Sequence, residues 1–246
     1  MSRSQPNTNE PNPATKFYEW SGGNGGLHFY DKEDKKQVEV ALPFTFLLLD
    51  QLATVKGWHD PSESGIYANE VRDTRSEPFV VKSFKGGIIA EGIYKQVKDK
   101  IKAEGGKFVT NLYIAYKEGT LKLGSLQFKG AALQEWMEFV KNNKNAIYDK
   151  AIVVEGFKEG KKGSVSYKVP TFRLKEITPE TNEEAKKVDE VLQAYLTGYF
   201  KRTKVEQAVP HAEPATATTA HYDGPSTPKG DDFDSDSDIP FAPNYL

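Results

Sequence analysis

Residues 37–49 read Gln-Val-Glu-Val-Ala-Leu-Pro-Phe-Thr-Phe-Leu-Leu-Leu. Val38, Val40, Leu42, Phe44, Phe46 and Leu48 occupy alternate positions, so in an extended chain they share one face. Leu47 and Leu49 make the second face apolar too, which predicts a strand crossing the centre of a sheet or bending through a barrel. Pro43 lacks an N–H for a ladder and marks an edge position or a bulge.

Downstream, short strands are expected over Thr54–Trp58, Gly65–Arg72 and Phe79–Phe84, separated by turns rich in Asp, Pro, Ser and Gly. Gly86–Gly87 then opens a helical pattern in which Ile89, Ile93, Val97 and Ile101 are spaced by four, and Gly105–Gly106 stops it. Alternating strands Lys107–Lys117 and Thr120–Phe128 turn tightly at Glu118-Gly119. Ala131–Lys141 reads as a helix with Leu133, Trp136, Met137 and Val140 inward. A second hairpin pairs Ala151–Lys158 with Ser164–Lys175. Thr178 caps a last helix with Pro179 at its first position; it runs to about Lys201 and buries Val188, Val191, Leu192, Tyr195 and Leu196. Upstream, Lys16–Trp20 and Leu27–Tyr30 are extended around the Gly-rich turn 22–26, which is no phosphate loop because no Gly-Lys-Ser/Thr and no helix follow it.

A helix between the third and fourth strands of a small barrel is the OB-fold arrangement. The expected fold is therefore mainly β with α: an OB-fold-like antiparallel barrel over about 37–128, with N-terminal strands and added C-terminal helices and hairpin. A generic α+β sheet is the alternative. The expected organisation is a disordered polar leader over 1–15, a folded body over 16–204 and a disordered acidic tail over 205–246.

The chain has 246 residues and no cysteine, which excludes disulfides, thiol nucleophiles and cysteine-ligated metals. No apolar run approaches the roughly 20 residues that span a bilayer, and residues 1–15 contain no apolar signal core, so a cytoplasmic protein is expected. The net charge of −2 is unevenly divided. Residues 205–246 hold one basic residue, Lys229, against eight acids, which leaves the body 32 basic and 27 acidic residues. A mildly basic body on an acidic tail suits a binder of polyanions, although the excess is modest enough for ordinary solubilising charge.

Val205–Gly230 is rich in Pro, Ala, Thr and Gly, and Asp231–Phe241 reads Asp-Asp-Phe-Asp-Ser-Asp-Ser-Asp-Ile-Pro-Phe. So dense a charge with so little apolar surface cannot offset the entropy of ordering. An acidic tail with an apolar hook is a ligand for a basic, apolar-floored pocket. This stretch resembles the tail tip of bacterial and phage single-stranded-DNA-binding proteins, which end in acids followed by Asp-Ile-Pro-Phe or a close variant. The resemblance implies a protein of DNA replication, recombination and repair that coats single strands and recruits replication and recombination proteins. By that resemblance Asp234, Asp236 and Asp238 steer the tail, and Ile239, Pro240 and Phe241 fill the partner's pocket. Here Ala242–Leu246 follows the Phe, whereas bacterial tails end on it, which fits a phage protein acting in its host's cytoplasm.

OB-folds hold single strands by stacking bases on aromatics while cations track the phosphates. The candidates for DNA contact are Trp58, Tyr67, Arg72, Arg75, Lys82, Phe84, Lys85, Tyr113, Lys117 and Lys122; an aromatic in a strand is more often packing, so the set carries the reading more than any one member. The Gly160–Gly163 turn with its lysines is either a basic finger or a solvated hairpin tip. Four histidines, with no His-x-x-x-His and no Gly-x-Ser-x-Gly, do not support an enzyme. Acid pairs such as Asp60 with Glu63, or Asp149 with Glu155, read as solvated. Asp232, Asp234 and Asp236 mimic an EF-hand opening, but Ser237 stands where Gly is needed and the closing Glu is missing. No cofactor, metal or membrane partner is expected, and a homo-oligomer is compatible with the sequence. A non-enzymatic adaptor whose tail docks on a replication partner is the rival reading.

Overall fold

The computed structural model describes residues 11–23 and 26–208, with side chains placed to 203. Residues 1–10 of the leader and 209–246 of the tail, including Asp234, Asp236, Asp238, Ile239, Pro240 and Phe241, lie outside the described residues.

Among the described residues, eleven strands and three α-helices follow one another as β1 (Lys16–Ser21), β2 (Gly26–Asp31), β3 (Lys36–Glu39), β4 (Phe44–His59), β5 (Ser64–Ala68), β6 (Phe79–Ser83), β7 (Gly87–Gly92), α1 (Tyr94–Ala103), β8 (Gly106–Glu118), β9 (Thr120–Lys129), α2 (Gly130–Asn142), β10 (Ala151–Lys162), β11 (Val165–Lys175) and α3 (Pro179–Ala208). The fold is mainly β with α. The strands form one sheet in the order β3-β2-β1-β9-β8-β4-β5-β6-β7, with β10 joined to β4 and β11 to β10. The expected closed antiparallel barrel is not formed. The sheet is open, and it is mixed because β1 runs parallel to β9.

β4 is the shared strand. One edge pairs with β8 along most of its length; the other pairs with β10 at Phe44–Phe46 and with β5 at Lys56–His59. The stretch 37–49 is divided between β3 and β4, but its alternation holds across the break. Phe46 and Leu48 are buried in the main core with Trp20, Leu112, Ile114, Leu126 and Trp136, and Val40, Leu42 and Phe44 pack against it. Leu47 and Leu49 face the other way, toward Ala185 and Val188 of α3. A register shift between Leu48 and Asp50 keeps both faces of this long strand in use. Thr54–Trp58 is accordingly the end of β4 and not a separate strand.

A smaller core lies on the same sheet face beyond the main one, where Val55, Ile66, Phe79, Val81, Ile89 and Ile101 pack with Tyr94 and Val97 of α1. The expected helix over 86–104 is half strand: β7 takes Gly87–Gly92, and only Tyr94–Ala103 is helical. Spacing by four fits Ile93, Val97 and Ile101, but the β-branched Ile88 and Ile89 supply the partner that β6 needs on its outer edge. The hairpin at Gly119 (φ 74) and the α3 start at Thr178, whose hydroxyl accepts the Thr181 N–H at 3.2 Å, are as the sequence predicts. On the opposite sheet face α3 buries Leu192 and Leu196 against Leu52, Tyr113 and Leu123. Val191 corrects the sequence reading, since it is 55% exposed. Residues 12–15, expected in a polar leader, pack here too: Ala14 is buried, Asn12 Nδ2 donates to the Tyr113 hydroxyl, and the Thr15 N–H to the Leu123 carbonyl.

Candidate nucleic-acid interface

Beyond the register shift, positions 50, 52, 54, 56 and 58 of β4 alternate onto the face that α3 covers further back. Past the helix that face is open. Lys56 lies opposite Tyr67, Tyr67 opposite Lys82, and Lys82 opposite Ile88, across four strands. In the next row Trp58 lies opposite Gly65, whose carbonyl accepts the Phe84 N–H at 3.1 Å. The missing side chain at 65 lets the Phe84 ring settle over the backbone: a Cβ there would meet ring carbons at 3.2 and 3.3 Å. Tyr67 stacks on Phe84 with centroids 4.7 Å apart and planes 28° from parallel.

Two backbones meet at the end of β4 and hold Trp58. A Cβ on Gly57 would lie 2.2 Å from the Gly105 carbonyl oxygen, and one on Gly105 2.2 Å from that of Trp58. The turn between α1 and β8 therefore fits only glycine on both sides. His59 adds a tether, with Nδ1 2.6 Å from Ser62 Oγ and Nε2 3.1 Å from Glu104. Trp58 is 49% exposed and Phe84 52%, with Tyr67 and Ile88 exposed beside them. An aromatic and aliphatic patch of this kind on a sheet face marks an interaction surface. Lys82 is half-buried and Lys85 exposed, and among the described residues neither pairs with a carboxylate.

A polar ladder separates this surface from α3. Lys56 Nζ donates to Gln127 Oε1 at 2.7 Å, Gln127 to Asn111 Oδ1 at 3.3 Å, and Asn111 Nδ2 to Glu70 Oε1. The Tyr113 hydroxyl donates to Glu70 Oε2 at 2.8 Å, and the Glu70 N–H donates to the Tyr199 hydroxyl at 2.7 Å. Burial raises the Glu70 carboxyl above the usual range, against the opposing donors Tyr113 and Asn111. Lost hydration lowers the Lys56 ammonium below the ordinary lysine value. Burial pushes Glu19 up, but Lys129 beside it outweighs this and leaves its carboxyl below the usual range.

Of the residues expected to touch DNA, Trp58, Tyr67, Lys82, Phe84 and Lys85 are brought together. The others are not. Tyr113 is a correction: it is fully buried and its hydroxyl is committed to Glu70 and Asn12, so no base can stack on it. Arg72 forms a double hydrogen bond to Asp50 at 2.9 and 2.6 Å and lies over the Phe200 ring. Arg75 stands in the exposed turn after it, its N–H held by Asp73. Lys117 and Lys122 sit at the β8–β9 turn, Lys122 paired with Glu118 at 3.1 Å. Ten residues of β8 separate Lys117 from Lys107, the neighbour of Lys56, or about 33 Å of strand. Sequence reasoning passed over Lys56, Gly65 and Ile88. Continuing the β4 alternation past Thr54 gives Lys56 and Trp58 one face; Ile88 was hidden by the helical spacing it happens to flank.

The Gly160–Gly163 turn ends the β10–β11 ribbon, which leaves the sheet at the beginning of β4. Fourteen residues of β4, about 46 Å, lie between Phe44 there and Trp58. In the ribbon Lys168 Nζ lies 4.3 Å over the Phe157 ring, and Lys158 pairs with Glu135 at 2.6 Å. Glu155 is paired with Arg173. Among the described residues no group of three or more His, Asp or Glu side chains could hold a metal ion, and no helix is long and apolar enough to cross a membrane. Compared with protein-family models, with curated proteins and with solved structures, the chain matches none.

Proposed function

We propose that the open face of β4–β7 binds single-stranded DNA without strong sequence preference. The observation that carries this reading is the exposed aromatic set Trp58, Tyr67 and Phe84, with Trp58 held where Gly57 meets Gly105, Phe84 seated on Gly65, and Lys82 and Lys85 at the border. Bases of every kind have a face to stack, and lysines neutralise phosphates whatever the sequence. The order of meander, helix and hairpin from β4 to β9 supports an OB-derived core, here opened and extended. With the tail's likeness to single-stranded-DNA-binding proteins, this gives a non-enzymatic coating protein of replication, recombination and repair, of phage origin and acting in the host cytoplasm. Its acidic tail recruits replication and recombination proteins through Asp234, Asp236, Asp238, Ile239, Pro240 and Phe241.

The test uses the protein's own fluorescence. Trp20 is 2% exposed and Trp136 0%, so Trp58 is the tryptophan a ligand can reach. Titration with a poly-pyrimidine strand is expected to quench the emission, less so as salt rises and weakly with duplex. Trp58→Phe removes the signal while a gel shift still reports binding. A wild-type protein that shifts no strand at any salt would overturn the proposal and leave the adaptor reading.

A further inference from the structure

The β10–β11 ribbon is a basic surface that the function above does not use. Gly156–Lys168 holds four lysines against one acid, Glu159. Residues 157–159 and 161–166 are exposed. The ladder pairs Glu159 with Lys168, Gly160 with Tyr167, Lys161 with Ser166 and Lys162 with Val165. By alternation one ribbon face carries Phe157, Lys161 and Lys168, and the other Lys158, Lys162 and Tyr167. Cations therefore stand on both faces. The ribbon is also held in place. The Lys168 N–H donates to the Gly22 carbonyl at 2.9 Å, the Trp20 indole N–H donates to the Lys168 carbonyl at 3.0 Å, and Lys158 is tied to Glu135 of α2. Gly160 leaves room for the Tyr167 ring, since a Cβ there would lie 2.3 Å from a ring carbon. Rooted beside Phe44, the ribbon thus comes back to the β1–β2 turn. Glu19 is level with Gln127, Asn111 and Leu52, so Gly22, three residues on, stands at the end of the sheet that carries Lys56 and Trp58. Three ladder steps, about 14 Å, separate β1 from β4.

We infer that the ribbon tip enters the major groove of duplex DNA, so that the protein recognises the junction where a single strand leaves a duplex. The junction rests on the single-strand reading above; the duplex contact rests on the ribbon alone. A single strand lies against one face of a protein surface, whereas cations on both faces of a ribbon match the two phosphate rows that wall a groove. Size agrees. Two strands about 4.8 Å apart fit a major groove about 12 Å wide. Gly163 lies four residues beyond Glu159, the partner of the tied Lys168, which leaves about 13 Å of ribbon for a groove about 8.5 Å deep. With the ribbon and the aromatic face at one end of the sheet, one DNA molecule can occupy both.

Gel shifts of the full chain with three probes test this: a poly-pyrimidine strand, the same strand continuing from a DNA duplex, and the same strand continuing from an RNA duplex, whose major groove is too deep and narrow for side chains to enter. The DNA junction should bind more tightly than the plain strand and lose affinity more steeply with salt. Lys161→Ala with Lys162→Ala should lower the junction's slope of log affinity against log salt by about 1.8, two lysines at about 0.9 each on a duplex. The same variant should bind the plain strand as the wild type does, which also shows that it is folded. Trp58→Ala should weaken the plain strand and keep the junction increment. A wild-type protein that holds the DNA junction no more tightly than the plain strand overturns the inference, and so does an equal increment from the RNA duplex. A loss of plain-strand affinity in the lysine variant overturns it too, since the ribbon would then belong to the single-strand track. Plain-strand affinity reads the function above and the junction increment reads this inference, so the two fail separately.

Discussion

Phe84 rests on Gly65, and that contact turns a loop-end ring into a rigid platform. Stacking a base on an aromatic is worth about 1–3 kcal/mol, so Trp58→Ala or Phe84→Ala should each weaken single-strand binding by roughly 5- to 150-fold, read by gel shift. Gly65→Val keeps a strand-compatible backbone but pushes the ring off its seat; affinity should fall nearly as far as in Phe84→Ala, with little change in thermal midpoint. Tyr113→Phe should do the reverse. It leaves Glu70 short of a donor, costs about 1–3 kcal/mol of stability in urea unfolding, and leaves strand affinity unchanged. At this scale Trp58, Tyr67, Lys82, Phe84 and Lys85 of the candidate site were legible from residue type alone. Exposure decided the rest: alternation puts Tyr113 and Lys56 on the same sheet face, and nothing local says that α3 covers one and spares the other.

Between elements, Glu70 ties β8 to α3: its carboxyl, which burial raises above its ordinary range, accepts from Asn111 and Tyr113 of β8, and its backbone N–H donates to Tyr199 of α3. In the folded state Glu70 holds its proton to higher pH than in the unfolded chain. Its contribution is therefore full below the unfolded carboxylate range and is lost as pH rises through the folded value. Stability measured by denaturant at several pH values should fall over that window, by at most about 1.4 kcal/mol per pH unit, and Glu70→Gln should flatten the fall. A slope unchanged by the substitution would assign the dependence to other groups. Most elements could be read from the sequence because hairpin turns, the Thr178 cap and the alternation of β4 are local signals. β7 could not, since Ile89, Ile93, Val97 and Ile101 satisfy a helical period while the need of β6 for an outer partner is non-local. The parallel partner of β1 left no mark in the sequence for the same reason.

For the molecule as a whole, salt dependence measures how many cations meet the strand. Each phosphate-contacting lysine contributes about 0.7 to the slope of log affinity against log salt for single strands, so Lys82→Ala with Lys85→Ala should lower it by about 1.4. Removing Val205–Leu246 withdraws an internal polyanion and should tighten binding at low salt while abolishing partner capture; unchanged affinity and unchanged capture would refute the role given to the tail. The parallel pairing of β1 with β9 has a consequence in the order of synthesis. Lys16 of β1 lies beside Gly124 of β9, a separation of 108 residues, so at ribosomal speed the first strand is made roughly 5–22 s before its neighbour exists. Until then β1, β2 and β3 are a bare meander with Trp20 uncovered, and small ribbons of this kind are marginal in water. Damage at Tyr18 or Trp20 should therefore appear first as a poor harvest of protein from cells, in molecules that bind normally once made.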